Sequence, residues 1–209
     1  MKRIFLLVLW AVMGVSTYAQ TQLSDIQSQE VMNQLEQVAA SMQTMQCCFV
    51  QENISSMLAE PSVSEGLMYY VAPEKMRWEY VKPYAFALVV DGENIVKVTD
   101  GQAEVLDARS GRMYQGIVNI IMGSASGKKL FDTSMFDIVL YDDGAFWKAN
   151  MTPKRRDMKR MFSQLVFCFD KKNKGISHVE LIGSNGDITS IQFKNIRLNE
   201  AIGKEFFKT

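Results

Sequence analysis

Histidine is nearly absent from this chain: among 209 residues only His178 occurs. Histidine is the side chain most often used for proton transfer near neutral pH, so the commonest general base is all but missing. No Gly-x-Ser-x-Gly segment occurs, which excludes the nucleophile elbow of the common hydrolases. The segment Gly123-Ser124-Ala125-Ser126-Gly127-Lys128-Lys129 superficially resembles a phosphate loop. Its glycines stand one residue too close, however, and no Ser or Thr follows the lysine. Asp142-Asp143 reads as a turn before Gly144 rather than a catalytic pair. Neither an enzyme nor a bound cofactor is expected.

Cysteine is scarce too, with only Cys47, Cys48 and Cys168. No Cys-x-x-Cys spacing exists, so no metal centre is expected. An odd count leaves at least one thiol unpaired in an oxidising compartment. Adjacent residues of an extended segment point to opposite faces, so a Cys47–Cys48 bridge would be strained. Cys168 could join one of them only if their strands are neighbours. The other reading makes all three small buried hydrophobes. Excess charge of one sign is also lacking: 23 basic residues face 23 acidic ones. No strong overall field draws nucleic acid or an anionic membrane. Only four prolines occur, with no Pro-rich linker and no fixed repeat period, so one domain is expected.

What is present begins at the amino terminus. Met1-Lys2-Arg3 is followed by an apolar run from Ile4 to Val15 and then by Ser16-Thr17-Tyr18-Ala19. That is a basic region, a hydrophobic core and a small-residue cleavage site, the pattern of an export leader. The run falls short of the roughly 20 apolar residues that span a bilayer. Residues 1–19 are therefore expected to be removed, leaving 20–209 as a single exported domain. No Cys stands at the cleavage point, so the chain is not itself expected to be lipidated. Loss of Lys2 and Arg3 leaves a slightly acidic mature chain. Methionine is abundant, with 14 residues. Its flexible thioether suits either a core or a surface that repacks around varied apolar partners.

The coarse pattern is α+β, mainly β. Ser24 to Met45 reads as one amphipathic helix, with Ser24 and Gln27 at capping-box spacing. Ile26, Leu35, Val38, Ala39, Met42 and Met45 supply its apolar stripe. From Phe49 the period changes towards two. Strands are predicted at 49–57, 64–71, 75–81, 85–90, 95–99, 103–106, 136–141, 146–151, 162–169, 176–182 and 188–196. Pro73, Pro83, Asp91-Gly92, Asp100-Gly101, Asp143-Gly144 and Asn185-Gly186 mark turns. Residues 114–122 fit a short helix through Ile117, Ile120 and Ile121. About 10 or 11 strands in one sheet must curl or close, and both helices then have a place on the concave face.

Certain residues have a familiar order. Phe49-Val50-Gln51 follows the long helix, then come Ser64-x-Gly66, Pro73, Met76-Arg77-Trp78-Glu79-Tyr80, Pro83 and Val89-Val90-Asp91-Gly92. This series resembles the LolA family of periplasmic outer-membrane lipoprotein carriers. Looser matches follow at Pro153, at Gly186-Asp187-x-Thr189-x-Ile191-x-Phe193 and at Asn199-x-x-Ile202 before Phe206. The resemblance implies an unclosed antiparallel half-barrel whose helices cover an apolar cavity. It implies a carrier that shelters lipoprotein acyl chains in the periplasm, from an inner-membrane ABC-type releasing complex to an outer-membrane acceptor. A carrier or sensor of another lipid or hydrophobic envelope compound would share that fold. Two positions depart from the family: Ala72 stands where an Arg latches the lid, and Met76 where a Phe precedes the Trp. Arg77 lies next door in sequence, but strand parity sends it to the opposite face.

Parity also nominates the cavity wall. Met68, Tyr70, Met76, Trp78 and Tyr80 share one face, continued by Phe86, Leu88 and Val90, with Ile117, Ile120 and Ile121 added from the short helix. The densest charge is Lys154-Arg155-Arg156-Asp157-Met158-Lys159-Arg160. It reads as a solvated loop, or as a docking patch for a transporter or anionic headgroups through Lys154, Arg155, Arg156, Lys159 and Arg160. A monomer is expected, because cargo transfer needs the mouth of the shell free.

Overall fold

The computed structural model describes residues 20–92, 94–106 and 130–208. Its framework is one antiparallel sheet of 12 strands. These are β1 (Thr21–Gln22), β2 (Thr44–Ile54), β3 (Ser62–Val71), β4 (Lys75–Lys82), β5 (Phe86–Asp91) and β6 (Asn94–Thr99), then β7 (Gln102–Val105), β8 (Phe136–Asp143), β9 (Phe146–Pro153), β10 (Phe162–Asp170), β11 (Ile176–Gly183) and β12 (Ile188–Leu198). The spatial order is β1-β8-β9-β10-β11-β12-β2-β3-β4-β5-β6-β7. β1 and β7 do not pair, so the barrel formed by the described residues is unclosed, as expected. Eleven strands match the predicted ones, although β2 begins five residues before and ends three before the predicted 49–57. The twelfth, β1, is only two residues long and pairs with Asp142 and Tyr141 of β8, too short to leave a periodic signal.

Helix α1 (Asp25–Ala40) lies on the concave side. The Ser24 backbone N–H donates to the Gln27 side chain at 3.0 Å, and the Gln27 backbone N–H donates to Ser24 Oγ at 3.4 Å. This closes the expected capping box. Val31, Leu35 and Ala39 form its buried stripe at i, i+4, i+8. The expectation of a helix running to Met45 is corrected, because the chain leaves the helix at Ser41. Asn199 accepts from the Gln43 backbone N–H at 2.7 Å, and its own N–H donates to the Thr44 carbonyl at 2.9 Å. These distant bonds draw residues 44 onward into β2 against β12. Met42 and Met45 are still buried, now from a turn and a strand. Ile26, placed in the apolar stripe by periodicity, is solvent-exposed.

Two short elements have no counterpart in the sequence pattern. One turn of helix, α2 (Arg156–Lys159), sits in the β9–β10 connection. A 3₁₀ turn at Lys204–Phe207 packs on the convex face against β4 and β5. There Phe206 stacks on Tyr69 at 4.5 Å, and Arg77 Nη1 donates to the Phe206 carbonyl at 3.5 Å. The leader, residues 1–19, and the short helix expected at 114–122 lie outside the described residues. Among those described, no helix is long and apolar enough to cross a membrane.

Candidate functional site

The concave face is an apolar wall centred on Phe49 and Trp78. Phe49 projects inward from β2 opposite Gly66 of β3. A Cβ on Gly66 would lie only 2.3 Å from the Phe49 ring and even nearer the Glu79 carbonyl oxygen. The absence of a side chain at Gly66 is thus what lets the ring lie flat across β3. It meets Trp78 stacked at 4.1 Å and Tyr80 edge-on at 5.4 Å. Phe193 of β12 closes on Trp78 edge-on at 6.2 Å, and Phe86 stacks on Tyr80 at 4.6 Å. Offset-stacked and edge-on ring pairs add roughly 0.5–1.5 kcal/mol each beyond simple burial.

The predicted wall largely assembles. Met68, Tyr70, Met76, Trp78, Leu88 and Val90 all belong to one buried cluster, shared with Val31 and Leu35 of α1. Tyr80 and Phe86 are only partly buried and line its margin. Ile117, Ile120 and Ile121 lie outside the described residues. Parity holds on these strands: Arg77 points to the convex side and pairs with Glu79 at 2.9 Å. Ala72 packs against the apolar cluster.

Four further contributors were not assigned to the wall by parity. Phe49 and Phe193 complete the aromatic group. Gln51 accepts a hydrogen bond from the Tyr80 hydroxyl at 2.9 Å. Gln51 also donates to Asn53 at 3.2 Å, and Thr189 donates to the same Asn53 oxygen at 3.1 Å. The wall therefore turns polar towards the β2–β3 end. Lys97 Nζ lies 5.5 Å from the Phe86 ring centroid, a cation on the aromatic margin. The alternation of β2, β6 and β12 puts these four on the same face, so a signal is present.

A narrow cleft with about 40 Å³ of room opens at the other end, between the last turns of α1 and the sheet. Leu35, Val38, Met42, Met45, Phe169 and Ile196 line it, and Lys174 adds a cation. Its apolar walls suit hydrocarbon and offer little directional chemistry.

The basic run occupies one exposed loop. Lys154 pairs with Asp137 at 3.0 Å and Arg155 with Asp157 at 2.8 Å. The hydrogen bond from Arg155 lowers the Asp157 carboxyl below its usual range. Arg156, Lys159 and Arg160 are exposed and make no ion pair among the described residues.

The cysteines are all free. β11 and β12 stand between β10, which carries Cys168, and β2. At roughly 4.8 Å per strand spacing that separation is far beyond disulfide reach. Burial, and then the charge of neighbouring Cys48, pushes the Cys47 thiol up to about 12. Burial raises Cys168 to about 11. Among the described residues, no group of three His, Cys, Asp or Glu is placed to hold a metal.

A family model described as outer membrane lipoprotein carrier protein LolA matches residues 40–209. The chain belongs to the LolA family. An outer-membrane lipoprotein carrier protein of Methylobacillus flagellatus is 32% identical over 146 residues, covering 69% of this chain and 67% of that protein. One from Dechloromonas aromatica is 29% identical over 185 residues, covering 84% and 81%. Among solved structures, MucB superposes with a TM-score of 0.55 at 12% identity, over 89% of this chain and 64% of that one. An uncharacterized conserved protein from Thermus thermophilus gives 0.53 at 9% identity, over 88% and 94%. These likenesses are of fold. The LolA family motifs now have physical roles: Phe49, Gly66 and Trp78 interlock, and Gln51 holds the Tyr80 hydroxyl.

Proposed function

We propose that the mature protein, residues 20–209, is a periplasmic carrier that shelters lipoprotein acyl chains against its concave face. The observation that carries this reading is the continuous apolar wall of a sheet left unclosed, with Tyr80 and Phe86 at its partly open margin. Holding acyl chains in water needs a large deformable apolar surface, since each buried CH₂ contributes about 0.8 kcal/mol. Methionines 42, 45, 68, 76 and 151 supply deformability within that surface. The leader takes the chain out of the cytoplasm. An inner-membrane ABC-type complex loads it, an outer-membrane acceptor unloads it, and it works as a monomer. Catalysis plays no part in this role. The test is a photo-crosslinking residue at position 86 in cells, followed by mass spectrometry of the adducts. Lipid-modified proteins are the expected adducts; their absence, with the crosslinker active, overturns the reading.

Ala72 favours a second reading. With a methyl group packed into the core instead of a charged latch, the cavity has less means of selecting a protein-borne lipid. A carrier or sensor of another lipid would yield free lipid in the same adducts.

A further inference from the structure

One rim of the sheet gathers features that the concave face does not use. It comprises the β2–β3 loop (residues 55–61), the β4–β5 loop, the β11–β12 turn and the β9–β10 connection with α2. Hydrogen bonds tie these parts together. Ser184 Oγ donates to the Arg160 carbonyl at 2.8 Å, and the Ser184 N–H to the Met161 carbonyl at 3.1 Å. Thr189 donates to Asn53, which in turn donates to Ser62 Oγ at 3.4 Å. The basic connection and the β2–β3 loop thus belong to one supported edge.

Apolar side chains are turned outward along this edge. Met57 is 91% exposed at the β2–β3 tip, next to exposed Leu58, and Tyr84 is 79% exposed in the β4–β5 loop. Just below the rim, Ile182, Ile188 and Ile54 stand in register across β11, β12 and β2 on the convex face. This row runs from the apolar tip towards the basic connection. At the basic end, exposed Met161 follows Arg156, Lys159 and Arg160. Two nearby acids pair with cations, Asp157 with Arg155 and Glu65 with Lys82, while Asp187 accepts from the neutral Asn185 amide at 2.6 Å. Glu60 at the tip, Glu52 beside Ile54 on β2 and Asp187 oppose the basic end, with no ion pair among the described residues.

We propose that this rim docks on an anionic phospholipid bilayer. Contiguous exposed apolar side chains mark interaction surfaces, and the unpaired cations specify a negatively charged one. A bilayer interface matches both halves at once, because hydrocarbon lies a few ångströms beneath a layer of negative headgroups. Docking there brings the open margin of the concave face close to the lipid it exchanges. The proposal rests on the carrier reading for its purpose, but the binding itself is measurable without any cargo.

The experiment is flotation of the exported protein with protein-free vesicles of phosphatidylcholine, alone or mixed with phosphatidylglycerol. Binding is expected to the mixed vesicles and to weaken as salt rises. Two variants are compared, Met57→Ser/Leu58→Ser and Arg156→Gln/Lys159→Gln/Arg160→Gln, after thermal melts confirm that both fold. Each is expected to lower the bound fraction at least tenfold at matched lipid, while displacement of a fluorescent fatty acid from the concave face is unchanged. Absence of binding, equal binding to both vesicle types, or undiminished binding by either variant overturns the proposal. So does capture only by membranes that retain their proteins, which would assign the rim to a protein partner. Failure of the carrier reading would instead appear in the position-86 adducts.

Discussion

The concave face and the rim both carry large apolar residues, but they use them in opposite ways. Trp78 is 4% exposed and caged by the rings of Phe49, Tyr80 and Phe193. Met57 is 91% exposed and touches little. Hydrophobic residues on the concave face hold the fold together and form its apolar wall. Those on the rim contribute almost nothing to the fold. Side chains that cost solubility without adding stability call for another use, and that contrast separates a packing role from an encounter role.

The largest expected effect breaks the concave side. Trp78→Ala should lower the free energy of unfolding by about 3–5 kcal/mol, the usual range for removing a buried aromatic, as read by urea denaturation. Gly66→Ala comes next. Its added methyl meets both the Glu79 carbonyl and the Phe49 ring, and overpacking of this kind costs about 1–3 kcal/mol. A stability loss below that would mean the sheet can open at β3 without disturbing the aromatic group. Gln51→Ala removes one hydrogen bond from the Tyr80 hydroxyl and should cost about 1 kcal/mol in the same assay.

A smaller effect is tied to pH. Cys47 titrates near 12 in the folded chain against 9.0 for an ordinary thiol. Its folded pKa is raised, so the unfolded state loses the proton first as pH climbs. Any stability contribution from the neutral buried thiol is complete below about pH 9 and is lost as pH rises towards 12. The stability difference between wild type and Cys47→Ala should shift accordingly when unfolding is followed on both sides of pH 9, and an unchanged difference would mean the thiol is reached by solvent. The smallest effect belongs to the rim. Met57→Ser should change stability by no more than about 0.5 kcal/mol. A cost comparable with Gln51→Ala would show that the tip is packed in solution and erase the distinction.

Strand positions were legible because alternation and turn residues act locally. Lys75 to Lys82 shows this best, with Met76, Trp78 and Tyr80 on one face and Arg77 and Glu79 on the other. The end of α1 was not legible. Met42 and Met45 continue a helical period, yet Asn199, more than 150 residues away, captures the backbone at Gln43 and Thr44. Local periodicity has no knowledge of such a partner. The wall residues at Met68, Trp78 and Leu88 could be read by parity, whereas Phe49 and Phe193 fall in predicted strands without being marked as part of the wall. Their contact with Trp78 depends on which strands become neighbours.

Short stretches of chain were enough to specify the strand pattern, the apolar and polar faces, the expectation of export and the resemblance to the LolA family. Side-chain alternation and turn chemistry are short-range, and the family motifs sit in contiguous segments. Tertiary pairing alone set the strand order, which separates Cys168 from Cys47 and Cys48. It alone brought Phe49 flat over Gly66. It alone set the basic connection and the apolar β2–β3 tip on one rim. Those outcomes depend on pairing between distant strands, whose free energy is shared across the whole sheet and belongs to no single stretch of chain.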